Sequence, residues 1–307
     1  MQINLVQAIN LLKQGEVVAI PTETVYGLAA DANNDAALRQ IYAIKQRPTD
    51  NPLIVHIADS SQVTDWAAEF SPLAQKLANA FWPGPFTLVL SAKDNVSKIL
   101  RGNNPTIALR VPNHPLTLQL LQQSGLALAA PSANKFTQLS PTTAAHVTAS
   151  LGEQLPVLDG GACAVGIEST IVAVQGESWQ LLRLGMLQEA SIEAVAGVPV
   201  TKTAQMIKAP GQHQLHYSPR TPIQLFASRD DLILHATTRT AALLLGSGAV
   251  PNCAYFVLNN NANDVAQKLY YTLHKMDALN VEKLLIEAPP NQPEWLAILD
   301  RLTRAVG

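Results

Sequence analysis

Four short polar clusters, each beside an apolar run, hold most of the side chains in this chain that can do chemistry. In α/β sheets ligand sites form at strand ends, so these clusters are where a site is expected. The first, Pro-Thr-Glu-Thr-Val-Tyr-Gly-Leu at 21–28, offers two threonines, a glutamate and a tyrosine that can donate and accept several hydrogen bonds. The same residues also suit a well-satisfied turn. The second places Lys45 and Arg47 two residues apart at a helix C-terminus, followed by Asn51. Cations there complement the negative end of the helix dipole. They can equally hold polyphosphate, with Arg47 gripping it bidentately. Pro48 and Pro52 stiffen that loop and lower the entropy lost on ordering it.

The third cluster is Ala130-Pro-Ser132-Ala-Asn134, with Ser140-Pro141 after it. Small polar residues ending a buried strand let a ligand approach the backbone, although they are also ordinary loop chemistry. The fourth, Gly166-Ile-Glu168-Ser169-Thr170, brings a hydroxyl pair into a strand, with Arg183 on the next one. Arg110 sits in the apolar run 107–111, and an arginine is almost never buried without an anionic partner. That partner is either Glu23 or Glu168 in a salt bridge, or a bound carboxylate. His56 ends another apolar run, where a lone histidine commonly serves as a core hydrogen-bonding group. The chain has no nucleophile elbow, no HExxH, no Walker or GxGxxG fingerprint and no close carboxylate pair. Covalent catalysis and a protein-ligated metal are therefore not expected. A pocket of hydroxyls and cations instead suits ATP and a small carboxylate bound side by side, with rate coming from proximity and charge stabilisation.

The elements that must position these residues alternate between strand and helix over the first two-thirds of the chain. The pattern predicts a helix up to Gly15, a strand at 17–20, and a helix capped by Asp35 with Leu38, Ile41, Tyr42 and Lys45 on one face. Further strands are expected at 53–57, 86–90, 107–111 and 126–130. Helices should begin at Ser71-Pro72, at Pro115 and near Thr142, and a hairpin should join 171–174 to 179–184. Mixed crossovers and hairpins mean a twisted mixed sheet with helices, an α/β unit over residues 1–200. Residues 201–222 carry Pro210, Pro219 and Pro222 and no apolar period, which marks an extended linker. Beyond it, strands at 241–245, 255–258 and 283–286 and helices at 264–279 and 294–304 make a small α/β unit at 223–307.

With 307 residues, 48% hydrophobic and 14% charged, the chain is expected to form two ordinary globular units. The first 14 residues lack the basic start and apolar run of a signal peptide, and no run is long enough to span a membrane, so the expected compartment is the cytoplasm. Cys163 and Cys253 have no metal-ligand spacing and read as idle thiols. A net charge of −2 argues against a protein that coats nucleic acid.

Taken in order, six motifs resemble the YrdC-like domain of threonylcarbamoyl-AMP synthases: the 21–28 run, Lys45-x-Arg47-Pro, Asn51-Pro-Leu-Ile-Val-His56, Ala-Leu-Arg110-Val-Pro, Ser132-Ala-Asn134 and Ser169-Thr-Ile-Val. The likeness covers residues from about 5 to 200. The linker with His216-Tyr-Ser-Pro219 and the second unit are similar to the long two-domain form, whose C-terminal unit would be Rossmann-like. The resemblance implies synthesis of threonylcarbamoyl-AMP and pyrophosphate from L-threonine, bicarbonate and ATP, with Mg2+ arriving on ATP. It implies a tRNA threonylcarbamoyl transferase complex downstream, with no membrane and no stable nucleic-acid partner. Carried over by motif, Lys45, Arg47, Asn51, Thr106, Ser132, Asn134, Ser140, Arg183 and Tyr217 resemble the ATP contacts, with Lys45 and Arg47 in the catalytic role. Thr24, His56, Arg110, Ala130 (through its backbone) and Ser169 resemble the threonine contacts.

The linker can fold over the cavity as a lid. It departs from the family pattern, which often has a large residue after Pro-Gly, because Gln212-His-Gln-Leu-His216 follows here. Two rivals remain at this level. One is an RNA-binding module of the same fold. The other is an enzyme carbamoylating a different acceptor, against which the lack of zinc-finger-like cysteines argues.

Overall fold

The structure, a computed structural model, describes residues 1–201, 207–211 and 216–306. The apolar runs of the first unit form short strands: β1 Gln2–Ile3, β2 Val18–Ile20, β3 Gly27–Asp31, β4 Ile54–His56 and β5 Phe86–Ser91. After these come β6 Thr106–Arg110, β7 Leu128–Ala129, β8 Val157–Leu158, β9 Thr170–Gln175 and β10 Ser178–Arg183. They join into one sheet in the order β1-β8-β2-β3-β7-β4-β6-β5-β9-β10. Pairing is parallel for β4 with β6 and β5 with β9, and antiparallel for β5 with β6 and for the hairpin β9–β10. The expected twisted mixed sheet is therefore present.

Helices start where side chains can cap them. Ser71 accepts from Ala74 N with Pro72 in the first turn, and Gly125 closes Pro115–Ser124 in the left-handed region, both as expected. One cap moves: Asn34, not Asp35, accepts from Ala36 N and Ala37 N and begins the helix Asp35–Lys45. Asp35 sits in the first turn, where its charge still suits the dipole. The stripe Leu38, Ile41, Tyr42 and Lys45 is wholly buried. β3 was not anticipated, because Gly-Leu-Ala-Ala-Asp has little strand propensity and is held as a strand by pairing with β2 and β7.

The second unit is a four-stranded parallel sheet, β11 Ile223–Phe226, β12 Thr240–Leu245, β13 Ala254–Leu258 and β14 Lys283–Glu287, in the order β11-β14-β12-β13. The helices Ala262–Asp277 and Leu296–Val306 cover it. Its core is continuous with the first unit: Val25, Leu139, Ile167 and Tyr217 pack among Val265, Leu269, Tyr270, Ile298 and Leu302. Gly166, at φ +84°, makes this approach possible, since a Cβ there would run into the backbone of Ala266 and Gln267. No helix among the described residues is long and apolar enough to cross a membrane.

Candidate active site

β4 and β6 lie parallel with His56 opposite Arg110, so each strand delivers its last residue to the same place. Arg110 is buried. Its Nε donates to Gly84 O (3.2 Å), its Nη1 to Thr24 Oγ1 (3.0 Å), and its Nη2 lies 2.7 Å from Glu23 Oε1. Of the two carboxylates the sequence offers it, Glu23 is the partner. The angle of that last contact makes an ion pair without a hydrogen bond, so Arg110 Nη2 and both Glu23 oxygens keep hydrogen-bonding capacity. The Thr24 hydroxyl is oriented by Thr22 Oγ1 at 2.8 Å, a partner that sequence reasoning did not single out. His56 Nδ1 is buried with no hydrogen-bond partner among the described residues. Burial, aided by the Arg110 charge, pushes its pKa down to about 3, so the ring is neutral.

Facing this group, Ser169 hydrogen-bonds Thr87 (2.8 Å) and receives Arg183, whose Nη2 donates to Ser169 Oγ (3.1 Å) and Nε to Ser169 O (3.1 Å). Arg183 Nη1 reaches the linker at Pro210 O (3.2 Å). Arg47 enters from the helix C-terminus, donating to Pro52 O (3.1 Å) with its guanidinium 5.6 Å from the Phe136 ring centroid. Burial lowers its pKa to about 10, and burial lowers that of Arg183 too. Both guanidiniums thus stand desolvated and face the same space.

These groups surround a cavity of about 50 Å³. Thr24, His56, Arg110, Ala130 and Ser169 line it, as do Arg47, Ser132, Arg183 and Tyr217. All five expected threonine contacts and four of the expected ATP contacts are therefore brought together. Pro210, Gly211, His216 and Tyr217 of the linker make one wall.

The other expected residues lie outside that wall. Lys45 is fully buried, its Nζ donating to Ser132 O (2.5 Å) and Asn134 O (2.7 Å), so it ties the helix end to the 130–134 loop. Burial, and then repulsion from Arg47, holds its pKa well below the usual lysine range. Asn134 donates to Lys135 O (2.9 Å) and Gln138 O (2.8 Å), and Asn51 accepts from Tyr42 through its carbonyl (2.9 Å). Thr106 starts β6, four residues and about 13 Å of strand from Arg110. Ser140 donates to Glu168 Oε1 at 2.6 Å. Of the linker residues that depart from the family pattern, 212–215 lie outside the described residues.

Sequence reasoning missed the second unit's share. Glu168 Oε2 receives Arg301 Nε (2.8 Å) and the Tyr270 hydroxyl (3.1 Å). Arg301 occupies the apolar face of its helix with Ile298, Leu302 and Ala305, a buried cation on a hydrophobic stripe and a signal open to periodicity analysis.

Residues 10–185 match the family model described as telomere recombination, and residues 186–307 match the threonylcarbamoyl-AMP synthase C-terminal domain. The Bacillus subtilis threonylcarbamoyl-AMP synthase is 39% identical over 98% of this chain and 92% of its own length. The Pyrococcus abyssi enzyme of that name is 35% identical over 98% and 93%. A crystal structure of P. abyssi Sua5 complexed with L-threonine superposes with a TM-score of 0.91, at 34% identity, over 100% of this chain and 98% of that one. Shared sequence over both units, a shared fold and a pocket assembled from the six motifs lead to one conclusion: the chain belongs to the threonylcarbamoyl-AMP synthase family, in its long two-domain form.

Proposed function

We propose that this protein condenses L-threonine, bicarbonate or CO2, and ATP into threonylcarbamoyl-AMP and pyrophosphate. The product is the activated donor with which a separate transferase complex modifies tRNA adenosine beside the anticodon. The observation that carries this reading is the two-sided pocket. One side offers Arg110, Thr24, neutral His56 and Ser169, and the other offers Arg47 and Arg183 with no carboxylate of their own among the described ion pairs. The first side suits an amino acid whose carboxylate takes the hydrogen-bonding capacity left on Arg110. The second suits polyphosphate. The relative crystallised with L-threonine supports the first assignment.

In this reading the threonine amine bonds to the CO2 carbon and loses a proton to solvent. An oxygen of the resulting carbamate then attacks the α-phosphorus, and the bond to the bridging oxygen breaks as pyrophosphate leaves. Arg47 and Arg183 offset the charge growing on pyrophosphate, and binding both substrates in one desolvated pocket supplies proximity. Lys45 holds the Ser132–Asn134 backbone, and to touch phosphate it must exchange those carbonyls for phosphate oxygens.

Mg2+ fits as an ion brought in by ATP. The pocket carboxylate Glu168 is engaged by Arg301, Tyr270 and Ser140, and among the described residues no cluster of three or more His, Cys, Asp or Glu is placed to ligate a metal. When bound, the ion adds further neutralisation of phosphate charge. The linker residues 210–211 and 216–217 form one wall of the pocket and can act as the lid that keeps water from the labile product. The working compartment is the cytoplasm, where ATP and tRNA are found.

The test is pyrophosphate release from ATP and Mg2+, with threonine and bicarbonate each added or omitted and the nucleotide product weighed. Release that requires both, with a product of threonylcarbamoyl-AMP mass, is expected. No release from folded protein overturns the reading and leaves the RNA-binding module, which steeply salt-dependent RNA binding would identify.

A further inference from the structure

Glu168 is a carboxylate in the wall of a pocket otherwise built to attract anions. Unopposed, its charge would repel polyphosphate and draw off the nearby Arg183, whose electrostatic influence it already feels. Arg301 of the second unit stands behind it, 1% exposed, with Nε 2.8 Å from Glu168 Oε2. Its remaining groups are spread over both units and the linker. Nη2 donates to Leu184 O at 2.8 Å, directly after β10, and Nη1 pairs with Asp300 at 2.6 Å. The guanidinium carbon lies 4.9 Å from the ring centroid of the linker residue Tyr217, which also stacks on Tyr270 with ring centroids 6.0 Å apart.

We propose that Arg301, in the last helix of the C-terminal unit, is a positioning residue for the nucleotide. By neutralising Glu168 it leaves Arg183 aimed at the pocket. The C-terminal unit is then part of the active site, although none of its own side chains lines the cavity. This inference rests on the reading that the Arg47 and Arg183 side takes ATP.

The experiment compares wild type, Arg301→Met, Arg301→Lys, Glu168→Gln and the double variant Glu168→Gln/Arg301→Met. ATP·Mg2+ affinity is measured by calorimetry, with KM for ATP and for threonine from pyrophosphate release. Arg301→Met should weaken ATP binding about 10- to 100-fold, the loss of one charged contact, with a smaller change for threonine. Arg301→Lys, which keeps a charge beside Glu168 but not the guanidinium's other contacts, should weaken ATP binding less than Arg301→Met does. The decisive comparison is the double variant. If Arg301 works by neutralising Glu168, removing that charge makes Arg301 dispensable, so the double variant binds ATP within about threefold of Glu168→Gln alone. A helix that merely packs would show no such rescue. Should Arg301→Met fail to fold, the double variant against Glu168→Gln still decides the matter, and a tenfold or larger gap overturns the inference. Unchanged ATP binding by Arg301→Met also overturns it. Failure of the underlying reading shows differently, as wild-type protein that binds no ATP.

Discussion

Tyr217 offers a sharp test of how the linker wall is held. Its ring is 1% exposed, and the hydroxyl has no hydrogen-bond partner among the described residues. Instead the hydroxyl is wedged against Gly211, where φ is +87° and an added Cβ would meet both that oxygen and the Arg183 side chain. A buried hydroxyl without a partner costs about 1–3 kcal/mol in desolvation. Tyr217→Phe removes that penalty and keeps the ring over which Arg301 lies at 4.9 Å and against which Tyr270 stacks at 6.0 Å. The ligand-free variant should therefore be more stable, by about 1–2 kcal/mol. At about 2–4 °C per kcal/mol, the expected rise in Tm is about 2–8 °C.

Bound nucleotide should reverse the sign. Tyr217 lines the pocket with Arg47 and Arg183, so nucleotide binding that moves the linker wall can bring a phosphate oxygen to its hydroxyl as an acceptor. A hydrogen bond to a charged group contributes about 1.5–3 kcal/mol, so Phe should bind ATP about tenfold or more weakly. Scanning calorimetry of wild type and Tyr217→Phe, each with and without ATP·Mg2+ and threonine, reads both halves at once. A ligand-free variant no more stable than wild type would refute the orphan-hydroxyl argument. A stabilisation that survives saturating ligand would refute the role in binding.

Three further outcomes follow from buried charge and close backbone contact. Arg110→Met should lose about 3–5 kcal/mol by stranding the Glu23 carboxylate, and adding Glu23→Gln should restore part of that loss; equal urea midpoints for the single and double variants would contradict it. Gly166→Ala should lower stability by at least about 1–3 kcal/mol, because a side chain at φ +84° is strained and meets the Ala266–Gln267 backbone; a wild-type thermal midpoint would refute the close approach. His56 and His216, both pushed down to about 3 chiefly by burial, stay neutral when folded but take up protons near pH 6.5 when unfolded. Stability should be constant above about pH 6.5 and fall toward pH 3, by at most about 2.7 kcal/mol per pH unit for the pair. The urea midpoint at pH 5 should therefore lie below that at pH 7.5, whereas an unchanged midpoint would mean that both rings are protonated in the fold.

Much of the frame was legible because local signals agreed with the tertiary result. Ser71-Pro72, Pro115 and Gly125 mark helix ends whatever they pack against, and the 38, 41, 42 and 45 spacing predicted a buried stripe that is buried. That same spacing held the message about Lys45. A lysine on a wholly apolar face must find oxygen acceptors inside the fold, and it finds the carbonyls of Ser132 and Asn134. Less legible were features fixed by partners far away in sequence. β3 exists because β2 and β7 flank it. Glu23 and Glu168 were equally good candidates for Arg110 until the fold set Arg301 beside Glu168, 133 residues away along the chain. No local pattern distinguishes two carboxylates whose partners depend on which unit docks where.

The pairing also sorts the cations in and behind the pocket wall into two kinds. Arg110 and Arg301 meet carboxylates. Lys45, Arg47 and Arg183 meet carbonyls and one serine hydroxyl, and burial pushes all three below their ordinary pKa. A carbonyl dipole offsets far less of a buried charge than a full anion does, so the ligand-free pocket holds positive charge at a standing cost in stability. An anion entering between Arg47 and Arg183 relieves that cost, whereas one directed at Arg110 must share it with Glu23. In the proposed reading, polyphosphate is thus drawn to one side by charge. On the other side, recognition falls to the hydrogen-bonding capacity left on Arg110, the Thr24 and Ser169 hydroxyls and the neutral His56 ring, an arrangement that discriminates by shape and hydrogen-bond pattern more than by net charge.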